Sequence, residues 1–580
     1  MTELRGIAAS PGIAIGTVFL YHEEHPQVPQ YKISHNNLEA EKERLSAAVE
    51  RAGADIEKIK NSSGQRLEDD EVRLLDTHLM MLQDPSFFAS VYERLERELL
   101  NVEWVLHLTV RDLMDKLGKS GDGYLKERTA DIHDVSKRVL NHLLEKERES
   151  LTNLNEERVL VTHDLMPSDA VAMNKRMVKA IVMDAGGKTS HTAIIARSFE
   201  IPAVLGLSTV TRLVSGEERI IVDGNSGVVI VDPDEETLAK YEEILNRWQE
   251  HEVQLMRLNN LPAETRDGKL IHLKGNIEIP EEVDSVIAHG ADGIGLYRSE
   301  FLFLRPEGLP SEDEQYESYR HVIDAMEGRP VTIRTLDVGG DKMSDKLQAH
   351  DEKNPILGWR AIRLCLSENE LFKTQLRALL RASVHGSLRI MFPMISGIQE
   401  LNRALDILEE VRKELRSRSI PFTEDLPVGI MIEVPSAALT SDFLARKVDF
   451  FSIGTNDLIQ YTVAVDRGNE RVAYLYEPFH PGVIRLVKMV IDNAHAEGLS
   501  VAMCGEMAGD PLAAVVLLGL GLDEFSMSAV GIPEVKQIIR SISLAEAEEL
   551  VGNIMELRST EEINRTVREY MQHRFDLTLY

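Results

Sequence analysis

The chain has 580 residues, of which 43% are hydrophobic and 28% charged, and its formal charge at pH 7 is -31. That length exceeds one ordinary core and points to two or three domains of a soluble globular protein. The acidic balance argues against a nucleic-acid-binding face, which needs clustered cations to displace counterions, and leaves either plain solubility or the steering of a basic protein partner.

The opening segment, MTELRGIAASPGIAIG, carries two charges before a short apolar run broken by Pro11 and Gly12, unlike a secretory leader. Its Gly, Ala, Ile and Val predict short strands with tight turns. The composition shifts after Gln30. From residue 36 to 146 proline nearly vanishes, Pro85 excepted, and apolar residues recur at helical spacing, as in Val72, Leu75, Leu79 and Leu82. Near Glu157 the texture changes again: RVLVTHDL, KAIVMDAGG and RIIVDGNSGVVIV are β-branched runs ended by turn residues. These runs resemble the opening segment. The expectation is one α/β domain of residues 1–25 and 147–232, with a helical domain, residues 26–146, inserted into it. Residues 233–260 read as a linker helix, because they carry alternating charges and the stretch 235–259 lacks both Gly and Pro.

Residues 261–580 alternate short apolar runs with helical stretches. The runs IHLKGNI, ADGIGLY, PVTIRTL, LRIMFPM, VGIMIEV, FFSIGTN, SVAMCGE and DEFSMS give eight strand candidates, the pattern of a (β/α)8 barrel. Arg298, Arg334, Glu433, Asn456, Asp457 and Cys504 fall at or just past the C-terminal ends of these runs, where such barrels build their sites. The chain as a whole is therefore expected to be a multidomain α/β protein. No run approaches the roughly 20 apolar residues of a membrane helix. The two cysteines, Cys365 and Cys504, are far apart, and 20 methionines suit a reducing compartment, so the expected location is the cytoplasm.

Two segments carry chemistry. In MDAGGKTSHTAIIARSF, Gly186 and Gly187 follow a strand and His191 opens an apolar helix. Thr189 or Ser190 can cap that helix, whose free N–H groups favour an anion, and a neutral imidazole there is a nucleophile able to carry phosphate. Lys188 and Arg197 could offset the charge. The same segment also reads as a plain helix start after a glycine turn. In the barrel, Arg298, Arg334 and Arg467 suit a substrate with phosphate and carboxylate groups, because guanidinium forks bind such oxygens in pairs. Glu433 and Asp457 are hard oxygen ligands suited to Mg²⁺, and Asn456 adds an amide. Cys504 in AMCGEMAGD, mostly protonated near neutrality, could give a proton to a carbanion or enolate, or could be an inert buried thiol. Cys365, in the apolar stretch WRAIRLCLSE, reads as core.

Together GGKTSHTAIIAR, GIGLYRSEFLF, IRTLDVGGDK, NPILGWRAIR, MIEVPSA, IGTNDLIQYT and CGEMAGD resemble the Enzyme I family of the bacterial phosphoenolpyruvate-dependent sugar phosphotransferase system. The resemblance runs from GIAASPGIAIG to the end of the barrel. It implies a swivelling phosphohistidine domain and a barrel that binds phosphoenolpyruvate with Mg²⁺ and forms a homodimer. By motif position it implies that His191 accepts the phosphoryl group on Nε2 and that Cys504 protonates the enolate of pyruvate. Arg298, Arg334, Asn456, Asp457 and Arg467 would contact substrate, with Glu433 and Asp457 on the metal. The phosphoryl group would then pass to the histidine-containing phosphocarrier protein HPr, docked on the inserted helices, where residues 71–85 (EVRLLDTHLMMLQDP) resemble the docking segment. After residues 341–342 the chain reads MSDKLQAHDEKNP where the family often has a Leu-Pro-aromatic turn.

Pyruvate phosphate dikinase and phosphoenolpyruvate synthase share the histidine domain and barrel, but would need an ATP-binding domain that this chain lacks the length to hold. The nitrogen-related paralogue usually adds an N-terminal sensory domain, and here the α/β pattern begins at once. A non-catalytic sensor would not need Cys504 as a proton donor, and a lyase on the same barrel would not need the histidine domain.

Overall fold

The computed structural model describes the chain except for residues 22–27, 63–68, 119–122, 145–153, 155, 166–168, 170–172, 174–176, 188–191, 194–195, 197–200, 304–307, 340–351, 353, 468, 470 and 576–580. It divides into two compact units, Met1–Gln249 and Glu250–Tyr580.

The first unit opens with β1 (Thr2–Arg5), β2 (Ile7–Ser10) and β3 (Ile13–Tyr21). Five helices follow, α1 (Leu38–Ser62), α2 (Asp69–Gln83), α3 (Pro85–Glu98), α4 (Val102–Gly118) and α5 (Gly123–Leu143). Leu45, Ile56, Leu75, Leu95, Val105 and Val139 close their core, the outcome of apolar residues recurring on one face of each helix. The chain then returns to strands β4 (Arg158–Thr162), β5 (Val178–Met183), β6 (Ala203–Leu205), β7 (Arg219–Asp223) and β8 (Val228–Val231). The strand order β1-β8-β7-β3-β4-β5-β6-β2 puts the first two strands at opposite ends of one sheet. Only Gly6 separates them, so the sheet curls until its edges meet. A Cβ at Gly6 would lie 2.5 Å from the Leu205 carbonyl oxygen, so only glycine fits that seam. The helix Glu235–Met256 contains the division between the two units. Its Leu238 and Tyr241 pack on Ile221, Val228 and Ile230 of the first unit.

In the second unit β9 (Ala263–Glu264) pairs antiparallel with β10 (Leu270–Ile277). Then come β11 (Ile294–Arg298), β12 (Val331–Arg334), β13 (Leu388–Phe392), β14 (Val428–Ile432), β15 (Phe450–Ile453), β16 (Ser500–Met503) and β17 (Glu524–Met527). Strands β10 to β17 pair in parallel with their sequence neighbours, and β17 pairs with β10, which closes an eight-stranded barrel. Helices cover its outside, so the strands are buried on both faces and read as near-continuous apolar runs. All eight strand expectations are met.

The opposite end of the barrel shows a repeated device. Asp292, Asp449 and Asp523 each precede a strand, and each carboxylate accepts a backbone N–H from within the neighbouring strand, at Leu273, Val428 and Val501. Their own N–H groups bond the carbonyls of the same three residues, so each aspartate locks one register. Beside them Lys274 and Arg389 converge on Glu524; Lys274 bonds it directly and Arg389 Nη1 stands 3.1 Å away.

Candidate active site

Register brings the barrel residues together. Arg298 and Arg334 face each other as the last paired residues of β11 and β12. Glu433 follows β14 immediately, Asn456 and Asp457 lie in the first turn of helix Thr455–Val463 after β15, and Cys504 follows β16. Gly505 lets that last turn pack closely, since a Cβ there would stand 1.9 Å from Thr455 Oγ1. Arg467 lies beyond the helix, its N–H bonded to Gln460 Oε1 at 3.1 Å. All seven barrel residues singled out in the sequence line one cavity of about 610 Å³.

The same cavity holds residues that sequence reasoning did not single out: Glu278, Glu300, Asp337, Arg360 and Glu506. Glu300, Asp337 and Arg360 stand inside segments already noted for their resemblance, but strand-end position alone did not mark them. Arg334 pairs with Glu300 at 3.0 Å and with Asp337 at 2.9 Å. Arg360 pairs with the other oxygen of Asp337 at 2.7 Å and reaches Asp457 at 3.5 Å. Arg298 pairs with Glu278. At the outer rim Arg467 lies 3.6 Å from Glu506, whose carboxylate and backbone N–H both bond the Asn456 amide.

The carboxylates differ because their surroundings differ. Burial pushes Asp337 up, but Arg334 and Arg360 outweigh it and hold the carboxyl below its usual range. Glu300 is raised, because burial outweighs the attraction of Arg334. Glu433 is raised well above the usual range, by burial first and then by the negative charge of Asp337 and Asp457. Its Oε1 accepts the backbone N–H of Met394 at 2.6 Å. Oxygens of Asp337, Glu433 and Asp457 lie within 4.8 Å of one another. A buried concentration of carboxylate oxygens of this kind fits a hard divalent cation. The donor set includes Asp337 besides the two residues expected from the sequence.

Cys504 is buried among Leu296, Met391, Met431 and Phe450, and burial raises its thiol above the ordinary range, against a hydrogen bond that Ser452 Oγ donates at 3.2 Å. It stays protonated near neutrality. Cys365 is fully buried within the helix Ala361–Ser367, as expected of a core residue.

In the first unit β5 ends at Met183, and Gly186 takes a φ of 101°, which suits a turn there. His191, with Lys188, Thr189, Ser190 and Arg197, lies outside the described residues, as does the loop at residues 340–351. Among the described residues no helix is long and apolar enough to cross a membrane.

Comparison with known proteins covers nearly the whole chain. Residues 252–544 match the family model described as PEP-utilising enzyme, PEP-binding domain. Residues 5–128 match PEP-utilising enzyme, N-terminal, and residues 154–227 match PEP-utilising enzyme, mobile domain. The phosphoenolpyruvate-protein phosphotransferase of Priestia megaterium is 46% identical over 98% of both chains. That of Bacillus subtilis (strain 168) is 45% identical over 98% of this chain and 100% of its own. That of Staphylococcus carnosus (strain TM300) is 43% identical over 98% and 99%. With identity of this order along nearly its full length, the chain belongs to the phosphoenolpyruvate-protein phosphotransferase family.

Proposed function

We propose that the chain takes the phosphoryl group of phosphoenolpyruvate onto His191, releases pyruvate, and passes the group to the histidine-containing phosphocarrier protein HPr, the first step of sugar uptake. The observation that carries this reading is the barrel cavity. It combines four arginines, three clustered carboxylates and one protonated thiol in about 610 Å³. That is the chemistry a small substrate with both phosphate and carboxylate groups requires.

In this reading Arg298, Arg334, Arg360 and Arg467 hold the anionic oxygens, exchanging part of their present carboxylate pairing for substrate, and Asn456 adds an amide contact. Glu433, Asp457 and Asp337 would hold Mg²⁺, which when bound would supply positive charge beside the phosphate and enolate oxygens. The His191 Nε2 lone pair attacks phosphorus as the enol P–O bond breaks. The electrons left on the enolate take the proton of the Cys504 thiol at the methylene carbon, giving pyruvate, and the thiolate regains a proton from solvent. The apolar wall of Leu296 and Met431 keeps that thiol neutral until it is needed.

The α/β domain of residues 1–25 and 147–232 carries His191 in this reading, and the inserted helices, residues 26–146, dock the carrier. Support for the docking comes from α2, where Met80 is 70% exposed while Leu75 and Leu82 of the same helix are buried. The barrel is the homodimerisation domain, and the protein works in the cytoplasm. Incubation of the full chain with labelled phosphoenolpyruvate and Mg²⁺ is expected to give protein-bound label and stoichiometric pyruvate. Pyruvate release without protein-bound label would contradict the proposal.

A further inference from the structure

We propose that Gln375, which does not line the cavity, is a positioning residue that sets the approach of Arg334 and Asp337 to the substrate. The inference rests on the phosphotransferase reading above.

Where β12 leaves the sheet, its backbone groups on one side meet no strand. After Arg298 the chain of β11 turns into the 3-10 helix Ser299–Phe303, so β12 loses its strand neighbour on that side at Arg334. On the other side the Thr335 N–H still bonds the Met391 carbonyl of β13. The groups facing the lost strand are met by side chains. Ser299 Oγ donates to the Arg334 carbonyl at 2.7 Å. The Leu336 N–H donates to Gln375 Oε1 at 2.9 Å, and the Asp337 N–H to Glu300 Oε1 at 3.0 Å. Gln375 Nε2 then donates to Ser299 Oγ at 3.0 Å and to the Tyr319 hydroxyl at 3.1 Å. One amide thus ties the ends of two strands to each other, from a helix, Asn369–Ala382, that belongs to neither.

Gln375 is 1% exposed, and Ser299 and Tyr319 are fully buried. Around it the helix buries Phe372, Leu376 and Leu379. An apolar side chain of similar size would fill that site with less desolvation. What the amide adds is direction. It fixes the backbone from Arg334 to Asp337, and hence the place where one guanidinium and one carboxylate enter the cavity. Partners behind contacting residues of this kind change activity by about 10- to 100-fold when removed.

The test compares the full-length wild type with Gln375→Met and Gln375→Glu, measuring initial rates of pyruvate formation against phosphoenolpyruvate concentration with Mg²⁺ and the carrier protein in excess. Gln375→Met is expected to lower kcat/KM by about 10- to 100-fold, mainly through KM, while the reverse transfer from phosphorylated carrier to the chain stays at the wild-type rate. Gln375→Glu separates positioning from loss of fold. Its neutral carboxyl can accept from Leu336 and donate to Ser299, whereas its anion can only accept. The ratio of its KM to that of wild type is therefore expected to approach one as pH falls and to rise as pH increases. A folded Gln375→Met with wild-type KM and kcat, or a Gln375→Glu whose KM follows wild type at every pH, would overturn the inference and leave the reading of function standing. Absence of pyruvate formation by the wild type would overturn that reading and this inference with it.

Discussion

Asp337 illustrates how one side chain can serve two electrostatic ends. Its oxygens hold Arg334 and Arg360, yet it also stands in the cluster with Glu433 and Asp457. Arg334 gains from this company. Although burial works against its charge, Glu300, Asp337 and Glu433 keep the guanidinium more firmly protonated than usual. Replacing Asp337→Asn would loosen both arginines and remove one anionic donor from the cluster. The Mg²⁺ concentration for half-maximal activity is expected to rise about 10-fold or more in Asp337→Asn, read by titrating Mg²⁺ in the pyruvate assay; an unchanged requirement would remove Asp337 from the metal set. Cys504 makes a separate case. Because burial raises its thiol, it holds its proton above neutrality, which suits a donor to carbon. Cys504→Ala is expected to slow pyruvate formation by about 10²- to 10⁴-fold. Unchanged turnover would take the thiol out of the reaction.

At the scale of elements, the barrel separates its functional end from its stabilising end. Glu524 is the only carboxylate shown pairing with both Lys274 and Arg389 among the described residues, and all three lie beside the aspartates that lock strand register. Burial opposes the charge on Glu524, but Lys274 and Arg389 hold its carboxyl below the usual range. Glu524→Gln would leave two cations facing an amide, and breaking a buried pair of this kind costs about 3–5 kcal/mol. Chemical unfolding of the full chain should show that loss in the transition of the barrel unit. Glu534 behaves in the opposite sense: burial, with a smaller contribution from Asp510, raises its carboxyl to about 7. Between its ordinary value and about 7 the folded state binds more protons than the unfolded state. Stability therefore falls as pH rises through that window. Unfolding at pH 5 and pH 8 is expected to show a smaller difference in Glu534→Gln than in wild type. The strands were legible in the sequence because parallel strands covered by helices are apolar on both faces, and because five of the eight, β11, β12, β14, β15 and β16, lead into a polar residue or thiol of the cavity. Asp337 and Glu300 were not, since their meaning depends on the register that sets Arg298 beside Arg334. Arg360 stands far along the chain from β12, with nothing local to tie it to Asp337. Nothing in the local sequence marks Gln375, and only the backbone groups of β12 that no strand meets show why it is buried.

For the molecule as a whole, the chain divides into a unit of residues 1–249 and a unit of residues 250–580, with the cavity wholly inside the second. A ligand that binds only the folded barrel should stabilise that unit alone. Phosphoenolpyruvate with Mg²⁺ at a hundred times its Kd is expected to add about 2.7 kcal/mol to the barrel transition of a His191→Ala chain and nothing to the other, as calorimetry would record. The long, ordered motifs made the family legible from the sequence, while the part each side chain takes in the chemistry depends on groups brought together only by folding. If one histidine carries phosphate out of the barrel, incubation of the full chain with labelled phosphoenolpyruvate and Mg²⁺ leaves acid-labile label on that side chain. Label is expected at His191 in the wild type and none in His191→Ala. Acid-labile label on His191→Ala at the wild-type level would contradict that role for His191.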